Sequence, residues 1–231
     1  MKIGILGGTF NPVHYGHLRT AEEMQEVFAL DKLLFIPAGR PPLKKPRLVD
    51  VRHNYEMTKI AVIGNPLFDI SDIEIRTSGI SYSVETMRKL TDKYRNAEFF
   101  FIIGIDAFLS LPKWKEPVRL MELANLVVIS RPGFCFTDLS SSPYFVNAGK
   151  KILRRFDKGT RKKISFNPGA GKKIFLCKVT ELDISSSRIR RLIKTGKNIK
   201  YLLPESVESY IISNRLYLKN QELRTRKERI P

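Results

Sequence analysis

The chain has 231 residues, a formal net charge of +18 and 42% hydrophobic residues, enough apolar sequence for the core of one generous α/β domain. Its two cysteines, Cys135 and Cys177, lie far apart and form no Cys-x-x-Cys pair, which argues against a disulfide framework or a zinc site. The first apolar run breaks at Gly7-Gly8, too early for a signal peptide, and no apolar stretch approaches the roughly 18 residues of a membrane span. We therefore expect a cytoplasmic protein with no membrane partner.

Apolar periodicity predicts strands that alternate with helices. The predicted strands are Lys2–Leu6, Leu33–Ile36, Phe68–Ile75, Phe99–Ile103, Leu126–Ile129 and Ile174–Val179. The predicted helices are Gly16–Leu30, Val51–Ile63, one marked by Val84, Met87, Leu90 and Tyr94, and two closing helices, Ser186–Lys194 and Glu205–Asn214.

This alternation predicts an α/β fold with a doubly wound sheet of about five parallel strands, covered by helices on both faces. Ligands of such sheets bind at the carboxyl ends of the strands, near the switch point. Residues 1–217 are predicted to form a single domain. The region Phe134–Lys173 is the least regular, and we interpret residues 134–179 as a basic insertion or an elaborated crossover. Residues 218–231 are predicted to be a flexible basic tail, since periodicity is absent there.

Positive charge is concentrated between Lys150 and Lys178, where eleven Lys or Arg residues accompany one acid, Asp157. Clustered cations attract anions, and they can steer anionic substrates towards a site or simply form a solvated surface. Nucleic-acid binding is a further alternative. It is disfavoured because aromatic residues, at Phe156, Phe166 and Phe175, are sparse among the basic ones.

The segment that follows the first predicted strand, Gly7–His17, is the strongest candidate site, and it contains two of the three histidines. The Gly-Gly pair permits a tight turn and close approach to a ligand. The start of the next helix presents free N–H groups and positive potential to a phosphate. His14 and His17 would donate hydrogen bonds to phosphate oxygens in a wet cleft, and Gly16 would leave room for a base or sugar. A zinc site is disfavoured because the Glu and the spacing of metalloprotease helices are absent.

A second candidate phosphate motif, Ile-Ser-Ser-Ser-Arg-Ile-Arg, occupies residues Ile184–Arg190. Serine hydroxyls and backbone N–H groups at a helix start, with an Arg one turn later, suit a triphosphate. Serines before a helix are by themselves typical of an ordinary N-cap. Their pairing with the first motif favours the functional interpretation.

The two motifs resemble those of the nucleotidyltransferase superfamily with the HxGH motif, written here His14-Tyr15-Gly16-His17. The resemblance implies a Rossmann-like sheet with a C-terminal helical element, and catalytic roles for His14, His17 and Arg190. The residues that it implies for ATP binding are Gly7, Gly8, Thr9, Phe10, His14, Gly16, His17, Gly104, Asp106, Arg131, Ser186, Ser187 and Arg190.

Further stretches resemble the nicotinate mononucleotide adenylyltransferases in particular. They are the Pro-Pro loop Ile36–Lys44, the stretch Ser81–Met87, the segment Gly104–Trp114 and the landmark Val128–Gly133. The residues implied to bind the mononucleotide are Lys44, Arg52, Tyr82, Thr86 and Trp114. Leu43 stands where this family usually has His.

The resemblance implies that the phosphate of nicotinate mononucleotide attacks the α-phosphorus of ATP in line, giving deamido-NAD and pyrophosphate. That phosphate is already an anion, so catalysis needs alignment and charge neutralisation but no general base. Mg²⁺ is implied as a bridge between phosphate oxygens, without a metal site built by the protein. Another nucleotidyltransferase, such as the pantetheine-phosphate enzyme, is the nearest alternative. A homo-oligomer is left open.

Overall fold

The computed structural model describes residues 1–42, 49–145, 150–169 and 171–218, and a single seven-stranded sheet forms the centre of this part of the chain. Its strands are β1 (Lys2–Gly8), β2 (Lys32–Pro37), β3 (Phe68–Ile70), β4 (Glu98–Gly104), β5 (Asn125–Ile129), β6 (Lys163–Phe166) and β7 (Ile174–Cys177). The strand order is β3-β2-β1-β4-β5-β7-β6. All neighbours pair in parallel except β6 and β7, which are antiparallel.

The predicted α/β fold with a mostly parallel sheet is confirmed, but the predicted number of strands was too low. The sheet has seven strands where about five parallel ones were expected. The strand that the sequence pattern missed is β6, a four-residue edge strand among basic residues. Alternate residues of β6 are exposed, so it lacks the continuous apolar run by which buried parallel strands are recognised.

Helices cover both faces of the sheet. They are α1 (Tyr15–Phe28), α2 (Val51–Val62), α3 (Ser83–Lys93), α4 (Ile105–Ser110), α5 (Pro117–Leu123), α6 (Lys150–Lys158), α7 (Ser186–Lys194) and α8 (Glu205–Ser213). Short 3₁₀ helices occur at Leu111–Lys113, Phe136–Ser141 and Pro143–Phe145. No helix within the described ranges is long and apolar enough to cross a membrane.

Side chains alternate along the central strands and so build two apolar cores. In β4, Phe99 and Phe101 pack into the core beneath α3, α4, α5 and α6, whereas Phe100 and Ile102 pack into the core beneath α1, α2, α7 and α8. All four side chains are at most 5% exposed. The sequence of a parallel strand that is buried on both faces is an uninterrupted apolar run. The apolar pattern therefore predicted the position of β4 well.

Residues 134–179 contribute to the core and to the sheet. Because β5 and β7 are parallel neighbours, the chain between them must cross from one end of the sheet to the other. The described part of this connection buries Phe136, Leu139, Phe145, Leu153 and Phe156 against the core that α3 and α4 share. The structure therefore places an elaborated crossover here, with a basic outer surface.

The acid of the basic segment has a local structural role. The carboxylate of Asp157 accepts hydrogen bonds from the backbone N–H groups of Phe136 and Thr137, both at 2.9 Å. These bonds attach the start of a 3₁₀ helix to α6. Within the described ranges, the ion pairs found involve no residue between Lys150 and Lys178, so the basic charges of this segment are not neutralised locally.

The chain turns earlier after β3 than the sequence pattern indicated. An extended segment was predicted over Phe68–Ile75, but the strand ends at Ile70. The N–H of Arg76 then donates to the carbonyl of Asp72 at 2.9 Å, and the Thr77 hydroxyl donates to the carbonyl of Ile73 at 2.7 Å. The alternation of polar and apolar residues here reflects a helical turn packed on one side, not a strand.

Candidate active site

Candidate residues from three strands meet at the carboxyl edge of the sheet. The direction of winding reverses between β1 and β4, which are neighbours although β2 and β3 intervene in sequence. β1 ends at Gly8, β4 ends at Gly104, and Arg131 follows β5 by two residues. Parallel α/β sheets leave a crevice for ligands at such a switch point. The two phosphate motifs and the Gly104–Arg131 group are therefore placed at one end of the molecule.

The turn after β1 is compact. Phe10 adopts a left-handed backbone conformation with φ of 43° and is only 2% exposed. A Cβ atom at Gly8 would lie 3.1 Å from the Phe10 ring, so glycine lets this ring fold back over the strand end. Gly7 and Thr9 flank this contact. This compact turn therefore brings the backbone that leads to α1 to the switch point of the sheet.

His14 and His17 stack on each other at the start of α1. Their ring centroids are 3.7 Å apart with an angle of 27° between the planes. The backbone N–H of His14 donates to Nδ1 of His17 at 3.3 Å, which leaves the proton of a neutral His17 ring on Nε2. His14 is 6% exposed and its Nδ1 has no partner among the described groups. His14 is therefore more buried than expected for a side chain facing a wet cleft, because the His17 ring covers it.

Burial keeps both imidazoles neutral. It lowers the pKa of His14 to about 4, and the positive charge of Arg131 adds to the effect. Burial also lowers the pKa of His17 well below its usual value, with further contributions from His14 and Arg131. Two stacked rings could not both be protonated without strong repulsion. At neutral pH each ring is thus a neutral donor with one N–H group.

These pKa shifts predict an observable titration. In an NMR titration, we expect the ring resonances of His14 to be unchanged between pH 8 and pH 6 and to titrate with a midpoint of about 4. The unfolded chain binds this proton near pH 6.5 but the native state does not, so the free energy of unfolding should decrease as the pH falls from 6.5 towards 4. A His14 midpoint near 6.5 in the folded protein would contradict the buried, neutral pair.

Gly16 makes room for a histidine ring. A Cβ atom at this position would lie 3.0 Å from Nδ1 of His14, tighter than most real contacts, and 3.7 Å from the carbonyl oxygen of Ile184. The sequence interpretation assigned this space to a base or a sugar. In the structure the nearest atoms belong to His14, so a side chain at Gly16 would first displace the stacked histidine pair.

The second phosphate motif docks onto the first. Ser185 caps α7 by accepting from the N–H of Arg188 at 3.2 Å. The next residue, Ser186, donates its hydroxyl to the carbonyl of Pro12 at 2.8 Å. Arg190 donates to the carbonyl of Asn11 at 2.6 Å and to the hydroxyl of Ser187 at 3.2 Å. The start of α7 and the loop before α1 therefore form one hydrogen-bonded unit.

Asp106 and Arg131 form a third group at the same edge. Their side chains lie 3.5 Å apart, Oδ1 to Nε, and both are about half exposed. A Cβ atom at Gly104 would lie 2.5 Å from Oδ1 of Asp106 and 2.8 Å from Nε of Arg131. Glycine at the end of β4 is what permits this pair. The positive charge of Arg131 adds to the effect of burial in lowering the pKa values of both histidines. Arg131 therefore lies beside the HxGH motif.

Tyr82, Thr86 and Trp114 lie around the start of α3. Tyr82 is the N-cap of α3, and Nζ of Lys115 lies 4.7 Å from the centre of its ring. Trp114 packs against the adjacent core and donates from Nε1 to the hydroxyl of Ser110 at 3.1 Å. Thr86 is 6% exposed, and its hydroxyl donates to Oε1 of Glu74 at 2.9 Å. The hydroxyl of Thr86 is therefore already engaged within the protein.

Among the described residues, one implied mononucleotide residue is not brought into this group. Arg52 is exposed at the start of α2, where its backbone N–H donates to the capping carboxylate of Asp50 at 2.8 Å. Lys44 and Leu43 lie outside the described residues. The assignment of Arg52 and Lys44 to the mononucleotide stays a prediction.

Comparison with known proteins agrees with this arrangement. The model of the cytidylyltransferase-like family matches residues 5–192. A probable nicotinate-nucleotide adenylyltransferase from Geotalea daltonii is 42% identical over 220 residues, which cover 94% of this chain and 98% of that protein. One from Syntrophotalea carbinolica is 43% identical over 230 residues, covering 96% and 99%. The chain belongs to the nicotinate-nucleotide adenylyltransferase family.

Solved structures of this family share the fold. The nicotinic acid mononucleotide adenylyltransferase of Plasmodium falciparum, complexed with NaAD, superimposes with a TM-score of 0.69 at 20% identity, covering 94% of this chain and 97% of that one. The same protein complexed with APC gives a TM-score of 0.67 over 94% and 96%. At this identity the likeness concerns the fold alone.

The sequence interpretation assigned no role to three residues that make notable contacts in the structure: Asn11, Tyr217 and Glu74. Asn11 receives Arg190 on its carbonyl, and the hydroxyl of Tyr217 donates to its side-chain oxygen at 2.5 Å. Tyr217 is 7% exposed although it follows the last helix. Glu74 lies in the turn that was predicted as a strand. The only local signal was a carboxylate within an apolar alternation, which does not reveal its partners.

Proposed function

We propose that this chain transfers the adenylyl group of ATP to nicotinate mononucleotide and releases deamido-NAD and pyrophosphate, a step of NAD synthesis. The observation that supports it best is the docking of α7 onto the HxGH loop, in a chain about 40% identical to nicotinate-nucleotide adenylyltransferases. Two helix starts then face the switch point, and helix starts bind phosphates through free N–H groups.

The histidines act as neutral donors to the ATP phosphates in this proposal. A neutral imidazole donates one hydrogen bond without a proton transfer, which suits a reaction whose nucleophile is already an anion. Arg190 carries a permanent positive charge and five N–H groups, of which two are used within the protein. Donors that are held in place before the reaction stabilise the negative charge that develops on the α-phosphate and on pyrophosphate.

The acceptor is assigned to the start of α3. The first N–H groups of a helix have no acceptor within the helix, and Ser83 and Val84 hold these positions in α3. The N–H groups of Glu85 and Thr86 donate to the carbonyl of Tyr82, both at 3.0 Å. We therefore assign the ring carboxylate of the substrate to Ser83 and Val84, with Tyr82 and Trp114 as the neighbouring aromatic residues.

Mg²⁺ is proposed as the ion that accompanies ATP. Among the described residues, no three His, Cys, Asp or Glu side chains cluster closely enough to hold a metal ion. The proposed ion keeps its waters and is held chiefly by phosphate oxygens. When bound, it would neutralise part of the phosphate charge. Asp106 is the carboxylate at this edge of the sheet, and its contact with Arg131 leaves it available to such a complex.

The reaction is tested by incubating the purified protein with ATP, Mg²⁺ and one acceptor at a time: nicotinate mononucleotide, nicotinamide mononucleotide or phosphopantetheine. We expect pyrophosphate and deamido-NAD with the first. Exchange of the carboxylate for an amide would leave an N–H donor without its acceptor, which costs about 1–3 kcal/mol, or about 5–150-fold in kcat/KM. The product is identified by its mass, and a reaction without acceptor corrects for ATP hydrolysis.

Two results would contradict the proposal. Turnover of phosphopantetheine alone would keep adenylyl transfer but move the chain to another acceptor. Equal kcat/KM values for nicotinate mononucleotide and its amide would show that Ser83 and Val84 do not recognise the ring carboxylate of the substrate. A cytoplasmic location stays a prediction, and a homo-oligomer stays open.

A further inference from the structure

The carboxylate of Glu74 joins three segments on the acceptor side of the site. Oε2 accepts a hydrogen bond from the backbone N–H of Gly39 at 3.4 Å, and Oε1 accepts from the hydroxyl of Thr86 at 2.9 Å. Gly39 belongs to the loop after β2, Thr86 to the first turns of α3, and Glu74 to the turn after β3. One side chain thus connects the loop after β2 with the helix that carries Tyr82 at its N-cap.

The backbones of these segments are also in close contact. A Cβ atom at Gly39 would lie 2.1 Å from the carbonyl oxygen of Glu74, a distance that no side chain could tolerate without moving the backbone. Ser81 completes the contact: its N–H donates to the carbonyl of Arg40 at 2.9 Å, and its hydroxyl accepts from the N–H of Arg40 at 3.3 Å. The loop after β2 is therefore attached to the chain just before α3.

The position of Glu74 is electrostatically costly. Burial raises the pKa of its carboxyl group, an effect opposed by the bonds from Thr86 and Gly39 and by the charge of Lys89. No ion pair to Glu74 is found among the described residues, so its two hydrogen bonds are the main compensation for burial. An apolar residue would avoid this cost but could not hold the two donors.

We propose that Glu74 is a positioning residue for the mononucleotide: it holds the loop after β2 against the start of α3 and keeps the hydroxyl of Thr86 turned away from the substrate. This inference rests on the proposed function, which assigns the mononucleotide to the start of α3, and on the resemblance of the loop after β2 to the family's Pro-Pro loop. ATP binds at the other motifs in the same proposal. Loss of Glu74 should therefore affect one substrate and not the other.

Kinetics of variants test this separation. We expect Glu74→Ala to raise the KM for nicotinate mononucleotide by roughly 10-fold or more, the effect of losing hydrogen bonds to a charged group, with the KM for ATP nearly unchanged. Glu74→Gln should restore most of the affinity. Its amide oxygen can accept from Gly39 and its NH₂ can donate to Thr86, whose proton can turn to the carbonyl of Tyr82 at 3.3 Å. A general loss of stability would instead affect both substrates.

Asp72→Ala is the matched control. Asp72 lies in the same turn, but its carboxylate faces outward and pairs with Arg76 at 2.5 Å, Oδ2 to Nε. We expect both KM values to be unchanged in this variant. Thr86→Val removes the donor and leaves the carboxylate in place, so Glu74→Ala and Thr86→Val should not be additive when combined. Additive effects, or equal changes in both KM values, would overturn the proposal.

Hydrogen exchange of the ligand-free protein gives a measurement that does not depend on the reaction. We expect the amides of Gly39 and Arg40 to exchange faster in Glu74→Ala than in the wild type, and at the wild-type rate in Glu74→Gln. Wild-type protein that does not use nicotinate mononucleotide would refute the proposed function, whereas the exchange rates would still decide the role of Glu74. Wild-type exchange rates in Glu74→Ala would refute that role.

Discussion

Replacement of His14 or His17 by Ala is expected to lower kcat by about 10²–10³-fold, the typical loss when one donor to a transition state is removed. Each neutral ring has a single N–H group to offer, so no second donor of the same residue can compensate. The stacked arrangement makes the two positions interdependent, since the ring centroids are 3.7 Å apart. The double variant should therefore lose less than the product of the two single losses.

His53 provides the control for this experiment. It is the third histidine of the chain, and its Nδ1 lies 3.0 Å from the hydroxyl of Tyr210, away from the phosphate motifs. His53→Ala should keep near-normal kcat. Circular dichroism melting curves would verify that each variant is folded, which is needed because His14 is buried. A folded His14→Ala or His17→Ala protein with near-normal turnover would mean that the start of α1 is not the phosphate site.

Arg190→Ala is expected to lower kcat/KM by about 10²-fold, because a hydrogen bond to a charged group contributes about 1.5–3 kcal/mol and this residue loses more than one. Its guanidinium donates hydrogen bonds to the carbonyl of Asn11 and to the hydroxyl of Ser187, and so links the two candidate phosphate motifs. Arg190→Lys should recover only part of the activity, since one ammonium group cannot reproduce the planar fork that reaches both partners.

Arg191 is the matched control for Arg190. It is the next residue of α7, is exposed, and carries the same charge on a different face of the helix from Arg190. Arg191→Ala removes one positive charge without disturbing the HxGH loop, so kcat/KM should remain within about twofold, as usual for surface substitutions. Equal losses in the two variants would indicate that Arg190 acts only through overall charge.

Two of the predicted helices match the structure closely, whereas α4, α5 and α6 were not predicted. The predicted range Ser186–Lys194 coincides with α7, and Val51–Ile63 differs from α2 by one residue. Capping and periodicity are local properties, so neighbouring residues suffice to define them. The strand predicted over Phe68–Ile75 is correct as far as Ile70 and wrong beyond it, because a turn that is packed on one side produces the same alternation as a strand. β6 was missed because it is a short edge strand stabilised by its pairing with β7.

The site residues show the same difference between those with a local sequence signal and those defined by distant contacts. His14, His17, Ser186 and Arg190 could be named from linear motifs, because the chemistry of phosphate binding requires particular residues next to a helix start. Glu74 could not be named, since its partners Gly39 and Thr86 lie 35 and 12 residues away. Tyr217 was assigned no role, although its hydroxyl contacts Asn11.

The sequence by itself determined the class of fold and the family, and it indicated the two candidate phosphate motifs, because each of these depends on local patterns of residue types. Only the tertiary structure decided that Arg190 and Asn11, which are 179 residues apart, share a hydrogen bond. It also decided that the two histidines are neutral, since their pKa values depend on burial and on Arg131. Contacts and charge states of this kind arise from packing between distant segments, which short-range sequence patterns do not encode.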